Sequence, residues 1–351
     1  MKKKIALAYS GSFIDTLIIK WLKKDEKINI YILLFDLNKI ENISIIKNKA
    51  IKLGIKNIFL INKENIFVKK YIFSILKNDF LKDKINIYIQ LLLNSLIIKE
   101  LIKICFFFKI KYIFFNYKYL NEKNLENNFF NNKIKILNFY KILDLNSKKK
   151  FLKFCLINKL KLNKISLNNN YKKEIFYLHK YIHYPIYLSL TFENGIPKKI
   201  NNKKYNPIEL LLKLNKIGII SGIKNNFNFN IINNNKLNFF FGINILLFVK
   251  KYLEISILNK NILNLKNKIS KEYLIFIEKK NWWNIERYFL QNIVNITQKY
   301  INGIVKIKIY NGNIFIIKKI FNDFILYKKN KNYLKLNFFE FINKKFINFF
   351  I

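Results

Sequence analysis

KIALAYSGSFIDTLIIKWL, residues 4–22, is the stretch on which the fold turns. Its first five residues are an apolar run, Tyr9-Ser10-Gly11-Ser12 is a turn signal, and residues 13–22 place apolar side chains at helical spacing. The order is strand, loop, helix. Working outward, residues 28–35 read as a second buried strand and 57–61 as a third. Between them residues 40–53 read as a helix, stopped by Gly54 where helices favour glycine. Helices at 66–75 and 87–107 and a strand at 112–115 follow. Strands that alternate with helices predict an α/β fold, a doubly wound and mostly parallel sheet of the kind that binds nucleotides. This domain is expected over residues 1–172.

Residues 116–174 carry no readable period. At 184–197 the texture changes, because YPIYLSLTFENGIP alternates as a strand and turns at Glu193-Asn194-Gly195. That opens a second, α+β domain, expected over 173–336. Within it residues 206–214 read as a helix with Pro207 at its first position, and 286–301 as another. VKIKIYNGNIFIIKK, residues 305–319, then reads as a hairpin turning at Asn311-Gly312. Residues 337–351 predict an apolar helical tail that needs a partner surface, hence an oligomerisation segment whose deletion is expected to reduce assembly size.

Composition narrows the function. With 351 residues, 51% apolar and 17% aromatic, the chain can bury large cores, and a folded protein is expected in place of a disordered one. Its longest uncharged apolar stretches, near 85–98 and 237–249, fall short of the roughly 20 residues of a membrane span. Lys2, Lys3 and Lys4 precede an apolar run too short for a secretory signal, so a cytoplasmic protein without a membrane partner is expected. The net charge of +44 is almost all lysine, with Arg287 the only arginine. Lys, Asn, Ile, Phe and Tyr share AT-rich codons, the lysines are spread along the chain, and nucleic-acid binding is not expected. Cys105 and Cys155 stand far apart in apolar settings, as buried hydrophobes do. His179 and His183 lack the Glu of a metal-protease pair in HKYIH, and no other histidine exists to build a catalytic triad. The aromatic runs 106–108 and 239–241 are expected in core or subunit packing.

One element carries chemistry. A Ser/Gly turn between the first strand and the first helix sets unpaired N–H groups and the helix dipole against an anion. Gly11 can take positive φ, Ser10 and Ser12 can donate hydroxyl hydrogen bonds, and Asp15 can hold a Mg²⁺ that bridges ATP phosphates. The loop is not a Walker loop, since GxxxxGK[ST] is absent.

AYSGSFIDTLIIKWL, residues 8–22, resembles the pyrophosphatase loop of the argininosuccinate synthase family, AYSGGLDTS followed by a helix ending in Trp-Leu. AIKLGIKNIFLIN (50–62), LTFENGIPKKINNKKYNPIELLLKLNKIG (190–218) and NWWNIERYFLQNIVNITQKYINGIVKIKIYNGNIFIIKK (281–319) resemble later stretches of that family in the same order. The resemblance implies an ATP-dependent ligase of arginine biosynthesis, a homotetramer with ATP and Mg²⁺ as cofactors and citrulline and aspartate as substrates. In that reaction the ureido oxygen of citrulline attacks the α-phosphate, pyrophosphate leaves, and the amine of aspartate displaces AMP from citrullyl-AMP. It implies ATP binding by Ala8, Tyr9, Ser10, Gly11, Ser12, Asp15 and Thr16, with Asp15 as the catalytic residue and possible Mg²⁺ ligand. The chain departs from the pattern elsewhere. With Trp21 fixing the register, Ser12 replaces the loop's second Gly, and Asp15 and Thr16 stand one residue late. The family's YxLGTxLARP falls on residues 86–95, where Asn86, Ile89, Gln90 and Asn94 replace its Tyr, Gly, Thr and Arg. Its TGKGND falls near KYLNEK at 118–123 and its KSRG on residues 233–236. A working ligase, a relative that adenylates a tRNA base and a non-catalytic descendant all remain open at this point.

Overall fold

The strand that leads into the loop lies at the centre of its sheet. In the computed structural model, which describes residues 3–36, 43–78, 85–115, 134–138, 142, 184–223, 240–279 and 281–321, β1 (Lys3–Ala8) pairs in parallel with β2 (Ile28–Asp36) on one side and β4 (Tyr112–Phe115) on the other. The edge strands β3 (Asn57–Asn62) and β5 (Lys135–Asn138) complete an all-parallel sheet of order β3-β2-β1-β4-β5. Both faces of β1 and β2 are covered. Ile5, Leu7, Ile30, Ile32 and Leu34 pack with Leu17, Ile18 and Leu22 of α1 (Phe13–Leu22) and Ala50 of α2 (Ile43–Lys52). Ala6, Tyr31 and Leu33 face the opposite core. Covering on both faces is why these strands read as continuous apolar runs.

The opposite core joins the two halves of the chain. It holds the helical run of α3 (Glu64–Phe67), a π-helical turn (Val68–Ile72) and α4 (Phe73–Asn78), followed by α5 (Ile85–Phe107). It continues without a break into a second sheet of order β10-β9-β6-β7-β8, antiparallel throughout. Here β6 (Ile186–Glu193) and β7 (Ile196–Ile200) form the hairpin expected at Asn194-Gly195, β8 (Lys203–Lys204) adds a short edge, and β9 (Gly303–Tyr310) and β10 (Asn313–Ile320) turn at Asn311-Gly312. Leu188, Leu190, Phe192, Val305, Ile307 and Ile309 form its buried face. Helices α6 (Pro207–Ile220), α7 (Phe240–Ile257), α8 (Lys260–Glu278) and α9 (Ile285–Gln298) accompany it. The α/β reading therefore holds.

Several boundaries move. The helix read over 206–214 runs to Ile220, because its buried face continues through Leu214 and Gly218 against α7. The helix read to 301 ends at Gln298, where Ile301 turns inward to accept from the Gly195 N–H. Phe106 and Phe107 are not core residues of the chain: they are 59% and 80% exposed at the end of α5. Cys105 beside them is buried as expected. Cys155, His179, His183, the domain boundary at 172, the tail at 337–351 and the KYLNEK and 233–236 segments lie outside the described residues.

One buried ion cluster ties these helices together. Glu254 of α7, 1% exposed, accepts from Lys250 Nζ at 2.5 Å, Lys266 Nζ of α8 at 2.5 Å and Gln298 Nε2 of α9 at 2.6 Å. Lys250 also reaches the Lys77 carbonyl of α4 at 3.3 Å. Glu254→Ala leaves two buried ammonium groups without their carboxylate and is expected to cost about 3–5 kcal/mol in urea unfolding. The exposed neighbour variant Lys251→Ala is expected to stay within about 0.5 kcal/mol of the parent.

Burial also pushes the Cys105 thiol up to about 12. In a Cys155→Ser background, native protein at pH 8 is expected to resist thiol reagents until denatured. Because the folded pKa is raised, the stability contributed by Cys105 is complete below the unfolded thiol's pKa of about 8.5 and fades as pH climbs toward the folded value. Cys105→Ala is expected to remove that part of the alkaline loss, read as the difference between the two pH–stability profiles.

Candidate nucleotide-binding loop

At β1 the sheet reverses its direction of growth, since the chain passes from β1 to β2 on one side and later returns to β4 on the other. In open parallel sheets, ligands bind at the carboxyl end of the strands at such a switch point. The loop 9–12 lies there. Residues 37–42 and 116–133, which follow β2 and β4, lie outside the described residues.

Local chemistry fixes the loop. Ser12 is the N-cap of α1, extended in backbone, and its Oγ accepts from the Asp15 N–H at 3.2 Å. This leaves the N–H groups of Ser12, Phe13 and Ile14 without intrahelical acceptors. Asp15 returns the cap two residues further back than the usual capping box, to Ser10 in place of Ser12. Its Oδ2 accepts from Ser10 N at 2.8 Å and from Ser10 Oγ at 2.6 Å, and the side chain is only 3% exposed. Thr16 Oγ1 donates to the Ser12 carbonyl at 2.9 Å and lies 3.2 Å from the Tyr9 hydroxyl. Tyr9 is buried and donates its N–H to the Leu33 carbonyl, while Ala8 continues the parallel register against Leu33. Burial raises the Tyr9 phenol, which stays protonated. Gly11 has φ +75°, and a Cβ there would meet Ile46 Cγ2 of α2 at 3.2 Å.

The structure therefore brings Ala8, Tyr9, Ser10, Gly11, Ser12, Asp15 and Thr16 together, in roles that differ. Gly11 and the backbone of 12–14 are the groups an anion can meet. The Ser10 hydroxyl, read from sequence as a phosphate donor, is turned onto Asp15. The side chains of Tyr9, Asp15 and Thr16 bond within the loop. The Ser12-x-x-Asp15 spacing is a capping signal that could have revealed the inward bonds. The positions where family substrate residues fall on α5 hold a different set: Gln90 Nε2 donates to Asn94 Oδ1 at 3.0 Å, and Asn94 and Ser95 are buried. Among the described residues no three His, Cys, Asp or Glu gather as a metal site, and no helix is long and apolar enough to cross a membrane.

A parallel α/β sheet with a glycine-bearing loop at its switch point is the architecture of a HUP domain, and comparisons with known proteins agree. Residues 4–113 match the arginosuccinate synthase N-terminal HUP domain, and residues 166–345 match the arginosuccinate synthase C-terminal domain. The chain is 33% identical to the argininosuccinate synthase of Carsonella ruddii (strain PV) over 92% of either protein. It is 28% identical to that of Clostridium tetani over 89% of this chain and 87% of the relative. The chain belongs to the argininosuccinate synthase family.

Gly11→Ala tests the loop. A left-handed φ costs an L-residue about 1–2 kcal/mol, and Ile46 must also give way. The variant is expected to remain folded by circular dichroism, with a lower Tm and at least about tenfold weaker ATP binding by calorimetry.

Proposed function

We propose that the protein is an ATP-dependent C–N ligase that condenses citrulline and aspartate to argininosuccinate through a citrullyl-AMP intermediate. The observation that carries this reading is the Ser10-Gly11-Ser12 loop at the carboxyl end of the central strand, within a chain that matches both domains of the family. The N–H groups of Ser12, Phe13 and Ile14, the positive end of the α1 dipole and the open backbone at Gly11 suit the pyrophosphate that the reaction expels. Charge developing on the phosphates in the transition state is stabilised by such fixed donors without reorganisation. Ser12 keeps its hydroxyl proton available while its oxygen caps the helix. The nucleotide enters as its Mg²⁺ complex, with the metal supplying charge neutralisation on the phosphates. The protein acts in the cytoplasm as a homo-oligomer, with no membrane or nucleic-acid partner.

Incubating the folded protein with ATP, with and without citrulline, and measuring pyrophosphate tests the reading. Citrulline-dependent release, followed by argininosuccinate when aspartate is added, is the expected result. Folded protein that binds ATP and releases no pyrophosphate with citrulline would make it a non-catalytic member of the family.

A further inference from the structure

The inward bonds of Asp15 raise the question of what its carboxylate serves. From the first turn of α1 it reaches back five residues to Ser10, where Oδ2 accepts both the backbone N–H and the hydroxyl. Its own N–H is held by Ser12 Oγ. One residue thus grips the chain on both sides of Gly11, the position whose φ of +75° sets the loop's bend. Ser10 spends its donors inward and offers neither to a ligand. Magnesium bound to protein prefers several waters and exposed oxygens in octahedral geometry near 2.0–2.1 Å. Oδ2 of Asp15 already accepts two hydrogen bonds, and its side chain is 97% withdrawn from solvent by the 3% exposure it retains. These surroundings do not fit a metal ligand. They fit a strut.

We infer that Asp15 is a positioning residue: it holds the Ser10–Ser12 loop in its anion-accepting shape through Ser10 and does not ligate the metal. The inference rests on reading the loop as a pyrophosphate cradle. It also carries a consequence in charge. A carboxylate beside a phosphate site repels the ligand, so the strut is present despite its charge and because of its acceptor geometry. An amide keeps an acceptor oxygen for both Ser10 donors and removes the repulsion.

Asp15→Asn and Asp15→Ala separate the roles. The first measurement is hydrogen exchange in the peptide spanning the loop, without ligand. Asp15→Ala is expected to exchange about tenfold faster than the parent, and Asp15→Asn within about threefold of it. Pyrophosphate binding measured by calorimetry in EDTA, where no metal is present, is expected to weaken about tenfold in Asp15→Ala and to hold or tighten in Asp15→Asn. The Mg²⁺ concentration giving half-maximal pyrophosphate release is expected to stay unchanged in Asp15→Asn. A rise of about tenfold in that concentration, with metal-free binding and loop exchange like the parent, would overturn the inference and make Asp15 a metal ligand. Equal loop exchange in Asp15→Ala and the parent would overturn it as well. If the parent protein binds no pyrophosphate, the ligase reading falls, and the exchange comparison still decides whether Asp15 braces the loop.

Discussion

Glu254 is a carboxylate that water does not reach, and two ammonium groups share it. Lys250 approaches from its own helix, Lys266 from α8, and the Gln298 amide from α9 fills a further position. Lys250 extends the network to the Lys77 carbonyl, so a helix from the first half of the chain meets three from the second at one acidic side chain. Gln298 also closes against the β6–β7 turn, where a Cβ on Gly195 would collide with its Oε1 at 2.0 Å. Set against a well-packed apolar replacement, such a cluster adds little net stability, whereas any arrangement that separates its members strands a charge in the core. α4, α7, α8 and α9 thus meet at one acidic side chain, and an arrangement that pulls any of them away from it is penalised.

Much of this was legible in the chain because the informative residues have one physical use. Asn194-Gly195 and Asn311-Gly312 announce hairpins, and all four residues adopt positive φ in the structure. Gly54, also at positive φ, stops α2 where its spacing said it would. Other elements gave no signal. β5 is four residues, KILN, in an Asn- and Lys-rich stretch, and so short a run has no period to read. α8 buries Lys266 and Ser270 ahead of Tyr273, Leu274 and Ile277, so the apolar stripe of its inner face is broken by polar residues where the ion cluster sits. The site divides in the same way. Its position followed from strand, turn and helix, but residue type alone says that Ser10 can donate and Asp15 can accept, without saying that they choose each other.

Arg287 shows the limit of explaining the charge by composition. In a chain that writes nearly every cation as lysine, the one arginine is buried, with its guanidinium carbon 4.4 Å from the centre of the Trp282 ring and Nη1 3.4 Å from the Tyr273 hydroxyl. Trp282 in turn stacks on Tyr71 at 5.0 Å and 18°. A planar, weakly hydrated cation can lie on an indole and still reach sideways to a hydroxyl. An ammonium, compact and strongly hydrated, cannot satisfy both contacts from one position. Codon bias can set the number of lysines on a surface, but it does not relax the geometry demanded of a cation inside an aromatic cluster.

The same distinction bears on how a site survives in so biased a sequence. A phosphate cradle made of backbone N–H groups asks little of the side chains around it: a glycine at 11 for the bend, a cap at 12, and a brace from 15 to 10. Phe13 and Ile14 supply their N–H groups whatever their side chains are. Recognition of an amino acid is different, because charged and polar side chains must be placed one by one, and each substitution removes a specific contact. On α5, the Gln90 and Asn94 side chains bond to each other. In the loop, Ser12 stands where the pattern it resembles has a second glycine, and its hydroxyl oxygen caps the helix. Drift in composition therefore presses hardest on contacts made by side chains and least on those made by backbone N–H groups, whose geometry needs only the bend at Gly11, the cap at Ser12 and the brace from Asp15 to Ser10.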